Sequence, residues 1–278
     1  MRSNYLLIEM TSQKFADNIR RHALKMVTRA KASHIASALS ITDIIAVLYD
    51  TILNFDPHDP RNADRDRFLL SKGHSCVALY AALALKDFFP VSELETYGQN
   101  HSNLMNHVSH KVPGVEFSTG SLGHGLPFGV GKALNAKYMQ KKWRVFVLLS
   151  DGEMDEGSNW EALMFSSHHK LDNLIAIIDY NKLQSLTTVE KTMNLEPLTA
   201  KLSSFGWSVL EINGHDHYEI KKALINTPCV IGKPTIIVAH TIKGKGVSFM
   251  ENKVEWHYHS PNSNQLSCAL LELEDKDA

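Results

Sequence analysis

The apolar positions in the first third of the chain repeat at the three- to four-residue spacing of amphipathic helices. Residues 12–31 carry such a stripe. A second helix is predicted at about 41–53, with Ser40 or Thr42 near its start as a cap. The alanine-rich stretch 74–86 predicts a buried helix. The stripe within 12–31 consists of Phe15, Ile19, Ala23 and Met26.

Four short runs of β-branched or aliphatic residues follow in the second half of the chain and predict strands. A helical segment at about 159–169 separates the first two runs. This order is typical of a parallel sheet buried on both faces. The runs are residues 145–149, 174–178, 208–212 and 235–239. We therefore predict an α/β fold in which helices flank a parallel sheet on both faces. We expect one domain of residues 1–278, with a polar, peripheral tail from about residue 261.

Composition and charge exclude several classes of protein. With 29 Lys+Arg against 30 Asp+Glu, the net charge of -1 provides no basic surface for nucleic acid or an anionic membrane. The three cysteines are far apart in sequence and form neither a disulfide framework nor a Cys-x-x-Cys pair. Glu9 interrupts the apolar run of the first ten residues, which argues against a signal peptide. No apolar run approaches the roughly 18 residues of a membrane helix. We therefore predict a cytoplasmic protein.

Polar residues follow the first two predicted strands where each strand ends. Asp151 and Gly152 come after the first strand, and Asn181 after the second. Because the carboxyl ends of parallel strands meet at one edge of a sheet, these side chains are predicted to share a crevice. A carboxylate, an amide oxygen and a backbone carbonyl suit Mg²⁺, which completes its shell with water and phosphate oxygens. Asp151-Gly152 alone, or the residues around Asn181 alone, could also be ordinary turn residues after a strand.

Asp151-Gly152 followed by Asn181 resembles the signature of thiamine-diphosphate enzymes, Gly-Asp-Gly with a later Asn. Four further motifs resemble the amino-terminal, diphosphate-binding half of transketolase and occur in that family's order. The motifs are KASHIAS around His34, SKGHS around His74, GVEFSTGSLGHG at 114–125 and KGKGVSFMENKVEWHYH at 243–259. The resemblance extends from about residue 12 to residue 260.

The resemblance implies thiamine diphosphate and Mg²⁺ as cofactors and a role for each matching residue. Mg²⁺ would be held by Asp151, Asn181 and the Leu183 carbonyl. The backbone at Gly120 and Leu122 would approach the aminopyrimidine of the cofactor. The implied cofactor-binding residues are His74, Gly120, Leu122, Asp151, Gly152, Glu153, Asn181 and His257.

The resemblance also implies a catalytic set of four histidines and one glutamate. His74 and His257 would lie near the diphosphate and the reacting carbon, whereas His34 and His107 would face sugar hydroxyls. Glu156 matches a carboxylate at an interface between protomers that couples to the catalytic glutamate of a neighbouring chain.

Three departures from the family pattern limit what the resemblance implies about the substrate. Ser150 replaces the first glycine of Gly-Asp-Gly, which is harmless unless that position needs a positive φ. The segment around His34 resembles deoxyxylulose-phosphate synthase more than transketolase. The segment near His107 is one residue shorter than the family pattern, so His110 is an alternative to His107.

The chain ends at Ala278, where transketolases continue into a second domain that supplies the catalytic glutamate. We therefore expect an amino-terminal subunit of a split transketolase, active only with a complementary chain in an α2β2 assembly. With that chain it would transfer a two-carbon ketol unit from a ketose, or ketose phosphate, to an aldose. The alternatives are a ketoacid-decarboxylating relative such as deoxyxylulose-phosphate synthase and a non-catalytic cofactor-binding scaffold.

Two other interpretations of the motifs carry less weight. His101, His107 and His110 together, or His257 with His259, could indicate zinc, but neither set has a cysteine close in sequence. The stretch 243–246 is basic and glycine-rich but lacks the spacing of a nucleotide-binding P-loop.

Overall fold

A computed structural model describes residues 11–274, so the apolar run of the first ten residues lies outside the described part. Five parallel strands form one sheet in the order β1-β2-β3-β5-β4. The strands are β1 Arg67–Leu70, β2 Val145–Ser150, β3 Leu174–Tyr180, β4 Ser208–Asn213 and β5 Thr235–His240. Ser150 pairs with Asp179, so the carboxyl ends of β2 and β3 lie side by side.

The helices come from both halves of the chain, and several short helical turns lie between them. The α-helices are α1 Ser12–Ala30, α2 Ile35–Ser40, α3 Thr42–Val47, α4 Cys76–Leu85, α5 Gly125–Tyr138, α6 Gly157–His168, α7 Val189–Thr192, α8 Leu198–Ser204, α9 His217–Ile225 and α10 Ser263–Glu274. A π-helical turn covers Leu48–Ile52, and 3₁₀ turns cover Gly73–Ser75, Val91–Thr96, Gly152–Asp155 and Val254–His257.

The two faces of the sheet bury separate hydrophobic clusters, because successive strand residues point to opposite faces. Along β2, Phe146 and Leu148 join the cluster built by α1 to α4, α9 and α10. Val145, Val147 and Leu149 join the other cluster, with α5 to α8. Both faces are therefore covered by helices. The predicted α/β fold with a helix-flanked parallel sheet is confirmed.

Two elements of the structure differ from what the sequence predicts. The helix expected at 41–53 begins earlier, at Ile35, and is interrupted at Ile41 between α2 and α3. Ser40 is not its cap, because its hydroxyl donates to the Asp179 carboxylate at 2.6 Å. Strand β1 was not predicted, since its four residues RFLL are too short to show a period.

The tail from about residue 261 is predicted to be peripheral, and most residues of 263–274 remain at least partly exposed. Residues Ser263–Glu274 form α10, and the side chains of Ala269 and Leu273 are completely buried. Arg21 of α1 donates to the Leu273 carbonyl at 2.9 Å. The apolar residues of this tail recur at helical spacing, which explains why it packs on the body of the protein.

Candidate active site

A pocket of about 210 Å³ opens at the carboxyl ends of β2 and β3, the edge at which ligands of parallel α/β sheets bind. Ten residues predicted from the sequence line it: His34, His74, His107, Gly120, Leu122, Asp151, Gly152, Asn181, Leu183 and His257. The pocket is also lined by Ser37, Lys72, Ser150, Gln184, Ser185 and Lys243. The fold therefore brings residues from five separated motifs into one place.

Asp151 is the buried carboxylate of the pocket, with 2% of its surface exposed. Its two oxygens accept the backbone N–H groups of Gly152 at 2.7 Å and Lys182 at 2.6 Å. Burial, followed by the nearby Asp179 carboxylate, raises the pKa of Asp151 to about 7. No ion pair to Asp151 occurs within residues 11–274. The site therefore holds a carboxylate whose charge would be stabilised by a bound cation.

The Asp179 carboxylate orients the side chain of Asn181 through a hydrogen bond. Its amide nitrogen donates to Asp179 Oδ2 at 3.0 Å, and its amide oxygen accepts the Leu183 N–H at 3.0 Å. Asp179 is fully buried and also pairs with the Lys72 ammonium, which is 1% exposed. Burial opposes ionisation of Asp179, but Lys72 holds its pKa below the usual value. This buried ion pair forms the base of the pocket.

Lys243 brings a second ammonium group into the pocket. Its three N–H donors are directed at the Leu183 carbonyl (3.0 Å), the Gln184 carbonyl (2.9 Å) and His257 Nδ1 (3.1 Å). Burial, followed by the like charge of Lys72, lowers the pKa of Lys243 to about 8. Because Nδ1 accepts from Lys243, the ring proton of neutral His257 is on Nε2. The carbonyl oxygens of Leu183 and Gln184 therefore both contact the Lys243 ammonium.

Four histidine rings form one cluster at the pocket. The His34 ring lies 5.2 Å from that of His74, 5.8 Å from His107 and 4.8 Å from His257. Burial, with neighbouring positive charges, lowers the pKa of His34 to about 4 and that of His257 to about 3. The pKa values of His74 and His107 are also lowered, mainly by burial. The cluster is therefore neutral at pH 7.

The glycine-rich segment lies across the pocket because two glycines permit close approaches. A Cβ at Gly73 would overlap the Thr119 carbonyl oxygen, so this position joins the His74 turn to the segment that carries Gly120. Gly123 has φ +80, and a Cβ there would lie 2.7 Å from Glu156 Cβ.

The structure places both predicted glutamates outside the pocket. The fully buried Glu153 side chain accepts the Gly123 N–H at 2.9 Å and the Ser71 hydroxyl. These hydrogen bonds hold the glycine-rich segment, and Glu153 is not among the residues that line the pocket. Glu156 is exposed at the start of α6, beside Gly123.

Two questions left by the sequence have geometric answers. Both histidines are exposed, but only His107 lines the pocket, whereas His110 Nδ1 bonds the Ser118 hydroxyl at 2.7 Å. Ser150 ends β2 and is not among the residues with positive φ, so replacing glycine there causes no left-handed strain. Within residues 11–274, no group of three or more His, Cys, Asp or Glu side chains could hold a metal ion.

Lys72 and Lys243 are the important pocket residues that the sequence did not assign. Both lie inside the motifs that indicated the family, SKGHS and KGKGVSF. Two lysines that are each 1% exposed need a charge partner or polar oxygens. One sequence does not show that these lysines are buried. The sequence indicated them only through their positions, Lys72 close to His74 and Lys243 in the same motif as His257.

Comparisons with known proteins agree on one family. The family model described as "Transketolase, thiamine diphosphate binding domain" matches residues 11–267. The chain belongs to the transketolase family. A Phocaeicola vulgatus protein, named as one subunit of an apulose-4-phosphate transketolase, is 40% identical over 269 residues, which are 97% of this chain and 94% of that protein. A Clostridium sp. (strain MSTE9) protein named "6-deoxy-6-sulfo-D-fructose transketolase subunit SqwG" is 40% identical over 267 residues, 96% of this chain and 97% of that one.

A solved transketolase shows the same fold in a longer chain. The transketolase from Campylobacter jejuni matches with a TM-score of 0.89 at 31% identity, over 95% of this chain but 42% of its own length. The chain thus spans about two fifths of that solved transketolase and nearly all of the two subunit relatives. The predicted relationship to the diphosphate-binding half of transketolase is confirmed.

The pocket fits the thiamine diphosphate of the transketolase family. The Lys243 ammonium, which bonds only neutral acceptors, suits a diphosphate, whereas the Lys72 ammonium is already paired with Asp179. Asp151 supplies a buried carboxylate with no cation paired to it in the described part of the chain, and the Leu183 carbonyl already faces a cation. Oxygen donors of this kind are those that Mg²⁺ prefers. No helix within residues 11–274 is both long and apolar enough to cross a membrane.

Proposed function

We propose that this chain is the cofactor-binding subunit of a two-subunit transketolase, which transfers a two-carbon ketol unit from a ketose or ketose phosphate to an aldose. One observation carries the proposal: a single pocket combines Asp151 and Asn181 with Lys72, Lys243 and a neutral histidine cluster. The carboxylate, the amide and the Lys243 ammonium suit a metal-bound diphosphate, and the histidines suit a polyhydroxylated substrate. The names of two relatives that this chain matches almost end to end, each a transketolase subunit, support a split enzyme.

Mg²⁺ would be held by Asp151, Asn181 and the Leu183 carbonyl, with the diphosphate beside Gly152 and Lys243. Lys243 competes for the Leu183 carbonyl, to which it donates at 3.0 Å. A bound diphosphate would offer the Lys243 ammonium phosphate oxygens as acceptors, which would leave the Leu183 carbonyl available to a metal. Asp151 is expected to remain ionised at neutral pH beside the metal, because a nearby cation lowers the pKa of a carboxyl group.

The bound cofactor would supply the nucleophilic carbon and store the electron pair of the broken C–C bond. The protein's own contribution is orientation and proton transfer. Neutral imidazoles can both accept and donate a proton. From the motifs that resemble transketolase, His34 and His107 are assigned to sugar hydroxyls, and His74 and His257 to the diphosphate and the reacting carbon. His257 accepts from Lys243 at Nδ1 and presents Nε2–H as its donor.

A complementary chain would supply the remaining walls of the site. A cavity of about 210 Å³ is smaller than the roughly 300–1,000 Å³ of pockets that enclose a ligand of drug size. Glu156 is exposed beside the glycine-rich segment, which is the position expected for a carboxylate that meets a partner's glutamate. Two copies of each chain would form an α2β2 heterotetramer with two sites. Magnesium binding and this stoichiometry belong to the proposal.

Reconstitution tests the proposal. The chain is purified alone, then mixed with thiamine diphosphate, Mg²⁺ and a complementary chain that carries the second transketolase domain. We expect aldose-dependent consumption of a ketose phosphate only in the mixture. Release of CO₂ from pyruvate would instead favour the ketoacid-decarboxylating alternative. Cofactor binding by the complex without turnover of any ketose–aldose pair would favour a scaffold role.

A further inference from the structure

His107 lies in a long irregular segment. Residues 97–124 form no helix or strand. The segment nevertheless places the His107 ring 5.8 Å from the His34 ring and against Gly120, where an added Cβ would lie 3.3 Å from His107 Cδ2. An irregular segment needs side-chain or tertiary contacts to hold one conformation, because it has no ladder of its own backbone hydrogen bonds.

The hydroxyl of Tyr80 bonds the backbone of this segment on both sides of residue 108. Tyr80 lies on α4 and is completely buried. Its hydroxyl donates to the His107 carbonyl at 3.1 Å and accepts the Ser109 N–H at 3.2 Å. The Val108 N–H donates to the Gly73 carbonyl at 3.0 Å. One hydroxyl thus satisfies backbone groups on both sides of residue 108.

We propose that Tyr80 is a positioning residue that holds His107 in register with the other histidines of the pocket. The hydroxyl can serve both backbone groups only while it stays protonated, and burial raises the pKa of Tyr80 far above neutral pH. Helix α4 follows the 3₁₀ turn that carries His74, so the anchor ties His107 to the element that also places His74. This inference rests on the proposed assignment of His107 to sugar hydroxyls.

The test compares Tyr80→Phe with Tyr49→Phe. Both tyrosines are buried and neither lines the pocket, but the Tyr49 ring packs on Phe55, Phe68 and Phe88, whereas the Tyr80 hydroxyl bonds the backbone of His107 and Ser109. Each variant is assayed in the complex with the partner chain, using fructose 6-phosphate, a sugar bound in a solved Pichia stipitis transketolase. Thiamine diphosphate affinity is measured on the same samples, and hydrogen exchange of the 105–110 amides is measured on the isolated chain.

We expect Tyr80→Phe, which removes both hydrogen bonds of the hydroxyl, to raise the apparent KM for the sugar by about 3- to 10-fold, because the His107 ring is then held less firmly in place. The kcat and the cofactor affinity should stay within about twofold of the parent values, and the 105–110 amides should exchange faster. Tyr49→Phe should change none of these quantities. A parallel fall in cofactor affinity and kcat would show a general structural role and overturn the proposal.

His107→Ala separates failure of this inference from failure of the proposed function. If His107→Ala raises the sugar KM but Tyr80→Phe does not, the positioning role is refuted and the assignment of His107 stands. If neither variant changes the sugar KM, the assignment of His107 to the sugar is refuted, and the positioning role falls with it. Ketol transfer by the reconstituted complex would still support the transketolase assignment in either case.

Discussion

Lys72→Met is predicted to destabilise the chain by about 3 kcal/mol. The variant removes the ammonium that pairs with the fully buried Asp179 and leaves that carboxylate without a counter-charge. Breaking one side of a buried pair costs about 3–5 kcal/mol. The lower end applies here, because Asp179 still accepts hydrogen bonds from Ser40 at 2.6 Å, from Asn181 at 3.0 Å and from Thr241.

Urea unfolding of the isolated chain, followed by circular dichroism and extrapolated to water, measures this loss. The corresponding fall in Tm is about 6–12 °C, at about 2–4 °C per kcal/mol for a domain of this size. The double variant Lys72→Met/Asp179→Asn removes the unpaired charge and should recover at least half of the lost stability. A loss below about 1 kcal/mol in the single variant, or no recovery in the double variant, would refute this role of the pair.

Three further predictions concern the metal, the histidine cluster and the glycine-rich segment. Asp151→Ala should abolish Mg²⁺-dependent thiamine diphosphate binding by the complex, and an unchanged calorimetric affinity would contradict the metal assignment. The pKa of His34 is about 4 in the fold, below its ordinary 6.5. Its stabilising contribution is therefore complete above about pH 6.5 and is lost as the pH falls toward 4. His34→Asn, which tolerates the φ of 73, should flatten the Tm–pH curve over that window, and an unaltered slope would refute the assigned cause. Gly73→Ala should lower the free energy of unfolding by about 1–3 kcal/mol. The control Gly131→Ala meets nothing within 4 Å and should stabilise α5 slightly, whereas equal effects at both glycines would contradict the packing argument.

Strands β2, β3 and β5 could be predicted from the sequence because almost all of their residues are apolar and buried on both faces, whereas β1 is buried but too short to be recognised. The run 145–149 is continuous and apolar, and the polar residue that follows it, Asp151, marks the edge of the sheet at the pocket. The interruption at Ile41 could not be predicted, since the sequence there stays helical and apolar. The burial of α10 depends on a contact with α1 from the opposite end of the chain, which local periodicity does not show.

The site was predicted unevenly for similar reasons. The roles of Asp151 and Asn181 could be predicted from their positions at the ends of strands. The roles of the histidines could be predicted only from the motifs that resemble transketolase. The choice of His107 over His110 required the path of an irregular segment. Lys72 could not be assigned, because its partner Asp179 is distant in sequence and a lysine is usually exposed.

Titration of thiamine diphosphate with Mg²⁺ into the chain alone, and into the chain mixed with its partner, tests the central claim most directly. If the pocket at the ends of β2 and β3 is half of a site, the mixture should bind thiamine diphosphate at least about 100-fold more tightly than the chain alone. This ratio corresponds to about 2.7 kcal/mol of binding free energy, which calorimetry measures. One cofactor should bind per pair of unlike chains. Equal, tight binding by the chain alone would contradict the account, because the described pocket would then be complete without a partner.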